Sequence, residues 1–436
     1  MTHSHSLRRF QPTLCVLLLG LLASGISHAE TVWVRAGKLI DVERGRVLND
    51  QVIRIDGERI VSISDFKAAT DTKTGWIDWS GYTVLPGLMD LHTHLVGSIM
   101  SSEIAAPLYT SGADDVLQGV ENARRTLRAG FTTVRDVGCY RAFTDVSLRK
   151  AIDSGIIEGP RMFVAGAYIT VTGGGGEVTG FAPDVVVPAE MRRGVANSET
   201  EIRERVRDLI RGGATFIKII ATGAVLAAGT TPGTAEYSEA EIKAAVDEAA
   251  QSGIFVTAHA HGAEGIKRAV RAGVRSIEHG SYLDDEGIAL MKKHGTWLVA
   301  DIYNGDYIAE VGRRDHWTEE ILRKNDETTQ TQREGFAKAV KAGVRIAYGT
   351  DSGVYPHGDN ARQFVYMVRY GLTPMDAIRA ATLNSAQLLN KERELGSIAA
   401  GKFADLIAVA GDPLADIDKL RQVRGVIKAG QKIRLD

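Results

Sequence analysis

Five of the eleven histidines fall in three short clusters, and each cluster closes an apolar run. Leu85-Pro86-Gly87-Leu88-Met89-Asp90-Leu91-His92-Thr93-His94 is the first. Val256-Thr257-Ala258-His259-Ala260-His261-Gly262 and Ser276-Ile277-Glu278-His279-Gly280 are the others. Side chains two apart on a strand share a face, so His92 and His94 can grip one ion together. Imidazole is the commonest protein metal ligand. A single such histidine would read as a core residue; five at strand ends point to a metal site.

Clusters of this kind need elements that bring them to one spot. With the run ending at His92, strand-like apolar runs recur at 131–137, 161–170, 215–221, 254–259, 274–279, 296–302 and 344–348, eight in all. Helical stretches separate most of them. Ser198-Glu199-Thr200-Glu201 and Ser238-Glu239-Ala240-Glu241 read as capping boxes, followed by apolar faces that include Ile202, Val206 and Leu209, and Ile242, Ala245 and Val246. Gly212 and Gly253 supply stops. Eight strand–helix alternations predict an α/β fold of the (β/α)8 TIM-barrel type, with its active site at the C-terminal ends of the strands, where the histidines fall. Residues 31–84 and the last forty read instead as short strands punctuated by Gly37, Gly57 and Gly81. They predict one small β domain assembled from both ends of the chain.

The remaining features bound the answer. A chain of 436 residues suits a large barrel plus an accessory domain. The formal net charge is −2 and no basic block occurs, which argues against a nucleic-acid partner. Arg8 and Arg9, the apolar run Leu14–Ala23 and Ser27-His28-Ala29 read as an export signal cleaved before Glu30, giving a periplasmic or secreted protein with no membrane partner after cleavage. Loss of two arginines and no acids would move the net charge to −4. Cys15 leaves with the signal, so Cys139 has no partner for an intramolecular disulfide.

Three more residues complete the chemical set. Lys218 lies within Phe216-Ile217-Lys218-Ile219-Ile220, where an unpaired ammonium is costly to bury. Asp351 follows Tyr348-Gly349-Thr350 at the end of the eighth run. Tyr237 precedes the second capping box, where it could face the mouth or simply pack.

Together, His92-x-His94, Lys218, His259, His279 and Asp351 resemble the binuclear-metal amidohydrolase superfamily. Within it the chain is most similar to the imidazolonepropionase-like group, which includes Xaa-Pro-type dipeptidases and ochratoxin-hydrolysing amidases. Gly396-Ser397-Ile398-Ala399-Ala400-Gly401-Lys402-Phe403-Ala404-Asp405-Leu406 resembles a segment of that superfamily's discontinuous β-sandwich. With the signal read over 1–29, the resemblance implies a metal-dependent barrel over 85–390. The β-sandwich would be built from two separate stretches, 30–84 and 391–436. Two divalent ions are implied, zinc by expectation, bridged by a carbamylated Lys218. His92, His94 and Asp351 would hold one ion; His259 and His279 would hold the other. Asp351 would take a proton from the attacking water and pass it to the leaving nitrogen. His261 is assigned to substrate or oxyanion and Tyr237 to a substrate carboxylate. A homo-oligomer is implied as well.

One segment departs from that pattern. Related dipeptidases carry histidines after the third strand, whereas this chain has Thr172-Gly173-Gly174-Gly175-Gly176-Glu177. No Lys-Ser/Thr follows, so the segment is not a phosphate loop and reads as a mobile loop. The expected activity is therefore an amidohydrolase that releases a C-terminal amino acid from a dipeptide or an aromatic N-acyl amino acid, ochratoxin A-type amides included. A cyclic-amide hydrolase of the imidazolonepropionase type and a catalytically inactive binding protein are the alternatives.

Overall fold

The computed structural model describes residues 1–2, 31–68, 76–97, 105, 109–182 and 184–435. The expected export signal lies outside these residues. Among the described residues no helix is long and apolar enough to cross a membrane.

The two chain ends meet in one seven-stranded sheet. Thr31–Asp41 pairs antiparallel with Arg46–Asp56 and parallel with Trp76–Pro86. Arg59–Asp65 extends one edge, while Leu406–Val409, Val423–Lys428 and Gln431–Ile433 extend the other. Leu406–Val409 lies antiparallel to Trp76–Pro86, which joins the two ends. The strands are longer than the sequence suggested, and Gly37 does not end one. It sits at a register shift between Ala36 and Lys38, where a Cβ would lie 1.9 Å from the Ser80 carbonyl oxygen. Val34, Ile53, Trp79, Leu406 and Ile427 pack together on the sheet's buried side.

The middle of the chain alternates parallel strands with helices. Leu88–Thr93, Phe131–Asp136 and Arg161–Val164 form a three-stranded parallel sheet. Tyr168–Ile169, Ile217–Ile220, Val256–Ala260, Ser276–His279, Trp297–Val299 and Arg345–Ile346 form a six-stranded one. The single run expected over 161–170 is thus two pieces, broken at Gly166, whose φ is +80°. Backbone hydrogen bonds link the two sheets at both edges. Thr215 N–H donates to Val164 O (2.8 Å), while Leu91 donates to Tyr348 O (2.9 Å) and His94 to Ser352 O (2.8 Å).

Helix starts follow local capping chemistry, with one correction. Ser238 and Glu241 form the complete reciprocal box on Glu239–Gln251. On Glu199–Gly212 only half of the box forms: Ser198 accepts from Glu201 N–H, but the Glu201 carboxylate accepts from Asn197 N–H (2.6 Å). The left-handed stop there is Gly213 rather than Gly212.

Gly349 shows how tightly the frame holds the centre. A Cβ at this position would lie 2.3 Å from Val299 Cγ1 and 2.8 Å from His92 Cβ. Gly349→Ala is therefore expected to destabilise the protein by about 1–3 kcal/mol, the usual cost of overpacking. It should also weaken retention of divalent metal, because the added methyl displaces His92. An unchanged melting temperature together with unchanged metal retention would show that the contact has slack.

Candidate metal centre

The strand ends bring His92, His94, Lys218, His259, His261, His279 and Asp351 to one cleft. All seven are less than a tenth exposed. Strand alternation delivers His92 with His94, and His259 with His261. His279 and Asp351 arrive differently. Their φ angles are +65° and +58°, the left-handed region that residues other than glycine seldom adopt. Such a conformation costs about 1–3 kcal/mol and persists only where its surroundings enforce it. At His279 it lets two neighbours on one strand both reach the interior: Glu278 contacts His92, while the His279 ring lies 4.7 Å from the His92 ring.

The hydrogen bonds behind the imidazoles fix what they offer in front. His92 Nδ1 faces Glu278 Oε2 (2.9 Å), His94 Nδ1 faces Gly138 O (2.8 Å) and His279 Nδ1 faces Asp301 Oδ1 (2.9 Å). Carboxylate and carbonyl oxygens accept, so each Nδ1 carries a proton and each Nε2 is the nitrogen left to face inward. His259 is reversed: Nε2 donates to Gly223 O (3.2 Å), which leaves Nδ1 free. His261 Nδ1 pairs with Ser281 Oγ (2.7 Å). Asp351 Oδ1 lies 3.4 Å from His92 Nε2 and 3.3 Å from His94 Nε2. Lone pairs facing a carboxylate oxygen at that range repel unless a cation sits among them.

Protonation follows the same logic. Burial, reinforced by His261, His279 and Lys218, holds His259 well below the usual imidazole range; burial and His279 push His261 down to about 3. Burial, with Lys218 adding to it, lowers His92. Burial opposes the charge on Asp351, but His92 and its neighbours hold that carboxyl well below its ordinary value. Burial is also outweighed at His279, which the Asp301 carboxylate raises. Lys218 is pushed down to about 8, chiefly by burial, so a larger share of its amine is neutral and nucleophilic.

Three ligand-forming groups emerge among the described residues: His92, His94 and Asp351; His259, His261 and His279; and His279, Asp301 and Asp351. Within each group the candidate ligand atoms lie within 4.8 Å of one another. The third group shares Asp351 with the first and His279 with the second, so it links them into one continuous donor set. Imidazole nitrogens and carboxylate oxygens suit divalent metal, and this donor set fits such ions.

Sequence reasoning missed several neighbours. Asp301 orients His279 and also accepts from Gln332 Nε2 (2.8 Å). Asn304 Nδ2 donates to both Asp301 Oδ2 and Asp351 Oδ2, each at 3.1 Å. Asp301 follows a strand just as Asp351 does, and that was the available signal. Tyr140, Tyr168, Val225, Leu226 and Ile308 give the cleft an apolar wall.

Two expectations need correction. Tyr237 does not line the cleft; it is buried, and its hydroxyl donates to Ala196 O (2.7 Å). The Gly-rich segment is tied down rather than free. Gly175 N–H donates to both carboxylate oxygens of Glu236 (2.9 and 3.1 Å), and a Cβ on Gly176 would lie 2.7 Å from Ile220 Cγ1.

Comparison with known proteins finds related sequences and structures. The chain is 32% identical over 366 residues to ochratoxinase of Aspergillus niger, spanning 79% of this chain and 73% of that one. The crystal structure of the A. niger ochratoxinase aligns with a TM-score of 0.81 and 29% identity over 93% of this chain and 96% of the other. A crystal structure of a Xaa-Pro dipeptidase with methionine bound in its active site aligns with a TM-score of 0.86 and 41% identity, covering 93% of this chain and 100% of that one. The model of the Amidohydrolase family matches residues 83–433, and with the histidine and aspartate groups set at the strand ends, the chain belongs to that family.

Proposed function

We propose that this protein is a metal-dependent amidase that releases a C-terminal amino acid from dipeptides or aromatic N-acyl amino acids. The observation that carries the reading is the set of three ligand groups linked through Asp351 and His279, in a cleft with an apolar wall. The ochratoxinase and Xaa-Pro dipeptidase likenesses support the same class of amide. The fold proposed with it is a closed (β/α)8 barrel, supported by the hydrogen bonds that join the two parallel sheets at both edges.

His92, His94 and Asp351 would hold one cation and His259 with His279 the other, with a carbamylated Lys218 between them. When bound, the ions would polarise the scissile carbonyl and make a water nucleophilic at neutral pH. Everything else falls to the chain's own groups. Asp351 accepts the water's proton and returns it to the leaving nitrogen. Asn304 donates to its Oδ2 and so holds the carboxylate with Oδ1 toward His92 and His94. His261 shares the cleft and steadies the carbonyl oxygen as negative charge grows there. The apolar wall excludes water from the group on the acyl side.

One observation favours a second reading, a general amidase with no need for a free C-terminal carboxylate. Tyr237 is committed to Ala196, and Lys218, at the histidines, is the one lysine or arginine among the described residues lining the cleft. Free-acid and C-terminally amidated forms of one substrate decide between the two. The first reading expects the amidated form to react at least about tenfold more slowly, the equivalent of 1.4 kcal/mol. Equal rates would leave the general amidase.

Two substitutions test the centre. Lys218→Ala should leave the protein folded while removing most activity and lowering metal content below that of the wild type. Asp351→Asn keeps the shape but loses the proton acceptor, so kcat should drop by at least about 10²-fold, the scale of general acid–base catalysis. Metal must be measured alongside, because a weakened site would mimic the loss. A fully metallated Asp351→Asn protein with wild-type kcat would remove Asp351 from this role. Full activity in metal-free wild type would remove the metal reading altogether.

A further inference from the structure

Beneath the histidines lies a charge pair that the proposed chemistry does not use. Arg135 and Glu278 are both fully buried, and Arg135 Nη2 donates to Glu278 Oε1 at 2.7 Å. The same oxygen accepts from Ser276 Oγ (2.7 Å) and from Thr257 Oγ1. Arg135 is itself fixed: Nε donates to Leu91 O (2.6 Å) and Nη1 to Ser276 Oγ (3.0 Å). Glu278 Oε1 thus carries the anchoring contacts, and Oε2 is left for His92 Nδ1 at 2.9 Å.

That division of labour is hard to explain by stability. A buried ion pair gains little over well-packed apolar residues of similar volume, because desolvation offsets its attraction. Its geometry, in contrast, has a direct consequence for His92. A carboxylate held ionised by a guanidinium can only accept, so it selects the His92 tautomer protonated on Nδ1 and turns Nε2 toward Asp351. An anion behind an imidazole also makes it a stronger donor to a metal in front. We propose that Glu278, locked by Arg135, is a positioning residue that fixes His92 as an Nε2 ligand and sets cation affinity at the His92–His94–Asp351 position. The proposal rests on the metal reading above.

The test uses cobalt(II) as the probe, on the full chain, with wild type, Glu278→Gln and Thr257→Val compared. Cobalt affinity is read by chelator competition, the ligand field by visible absorption and the fold by circular dichroism and melting. Glu278→Gln is expected to lose about 10- to 100-fold in affinity for one of two ions, the usual consequence of removing a ligand's hydrogen-bond partner. Its cobalt spectrum should change for that ion and not for the other. Thr257→Val touches Glu278 but not His92, so it should lower melting while leaving cobalt affinity near wild type. A purely structural role predicts lower melting in both variants with affinity unchanged in both, which would overturn the proposal.

If Glu278→Gln does not fold, Arg135→Met/Glu278→Gln removes both charges together, and the same one-site loss is expected. Nitrogen-15 spectra of histidine-labelled wild type give an independent check: His92 should be protonated on Nδ1 with zinc bound, and protonation on Nε2 would refute the assignment. Wild type that binds no cation would sink the metal reading and this inference with it. Wild type that binds two, matched by an equally avid Glu278→Gln, would sink only the inference.

Discussion

Everything in the centre depends on how buried groups share protons. A dry interior penalises charge of either sign, which raises carboxyls and lowers imidazoles and amines. Left to burial alone, this cluster would be neutral. Partners prevent that for selected members: Arg135 and His92 keep Glu278 ionised, His279 keeps Asp301 ionised, and the histidines keep Asp351 ionised. Protons are pushed to the backs of the rings, toward Glu278, Gly138 O and Asp301. What His92, His94 and Asp351 turn inward is a set of electron pairs converging on one spot. Such a set is unstable by itself and well suited to a divalent ion, whose own charge completes it.

The backbone reflects the same demand. Alternation along a strand can place every second residue at the mouth, and His92, His94, His259 and His261 use it. His279 and Asp351 do not fit that period and take left-handed φ instead. Gly349 removes the side chain that would otherwise collide with His92. These are local costs, each carried by the surrounding hydrogen bonds. Asp351 N–H donates to His92 O at 2.8 Å, and Asn304 holds its carboxylate from the other side. The conformation of a candidate ligand is therefore set by residues far away in the chain.

That distance explains what could and could not be read from the sequence. Clustered histidines at strand ends, Lys218 within an apolar run and the alternation of strand and helix are short-range signals, and all were legible. Arg135 and Glu278 carry the same signal as Lys218, a charge inside an apolar run, but each means little without the other, and 143 residues separate them. Asp301 and Asn304 become meaningful only once their strand end stands beside His279. Tyr237 shows the converse. Its position after a strand suggested the mouth, yet a backbone carbonyl 41 residues upstream satisfies its hydroxyl and keeps it in the core. Local capping was misread at Glu201, whose carboxylate accepts from Asn197 N–H instead of completing the box with Ser198.

The cleft's charge distribution has a consequence for selectivity. Its described lining includes Asn325, Thr328 and Thr329 together with apolar side chains, and no arginine occurs among those described residues. A substrate anion entering there would lose hydration and regain only neutral hydrogen bonds. Attraction would have to come from the centre itself, and that attraction falls with distance: two unit charges interact by about 4 kcal/mol at 4 Å for an effective dielectric of 20, and by half as much at twice the separation. A carboxylate one carbon from the scissile amide lies close enough to feel that field strongly. One at the end of a longer side chain does not, and it must in addition be buried against Leu226 or Ile308. Discrimination between α- and side-chain carboxylates can thus arise from the position of the centre alone, with no residue dedicated to it.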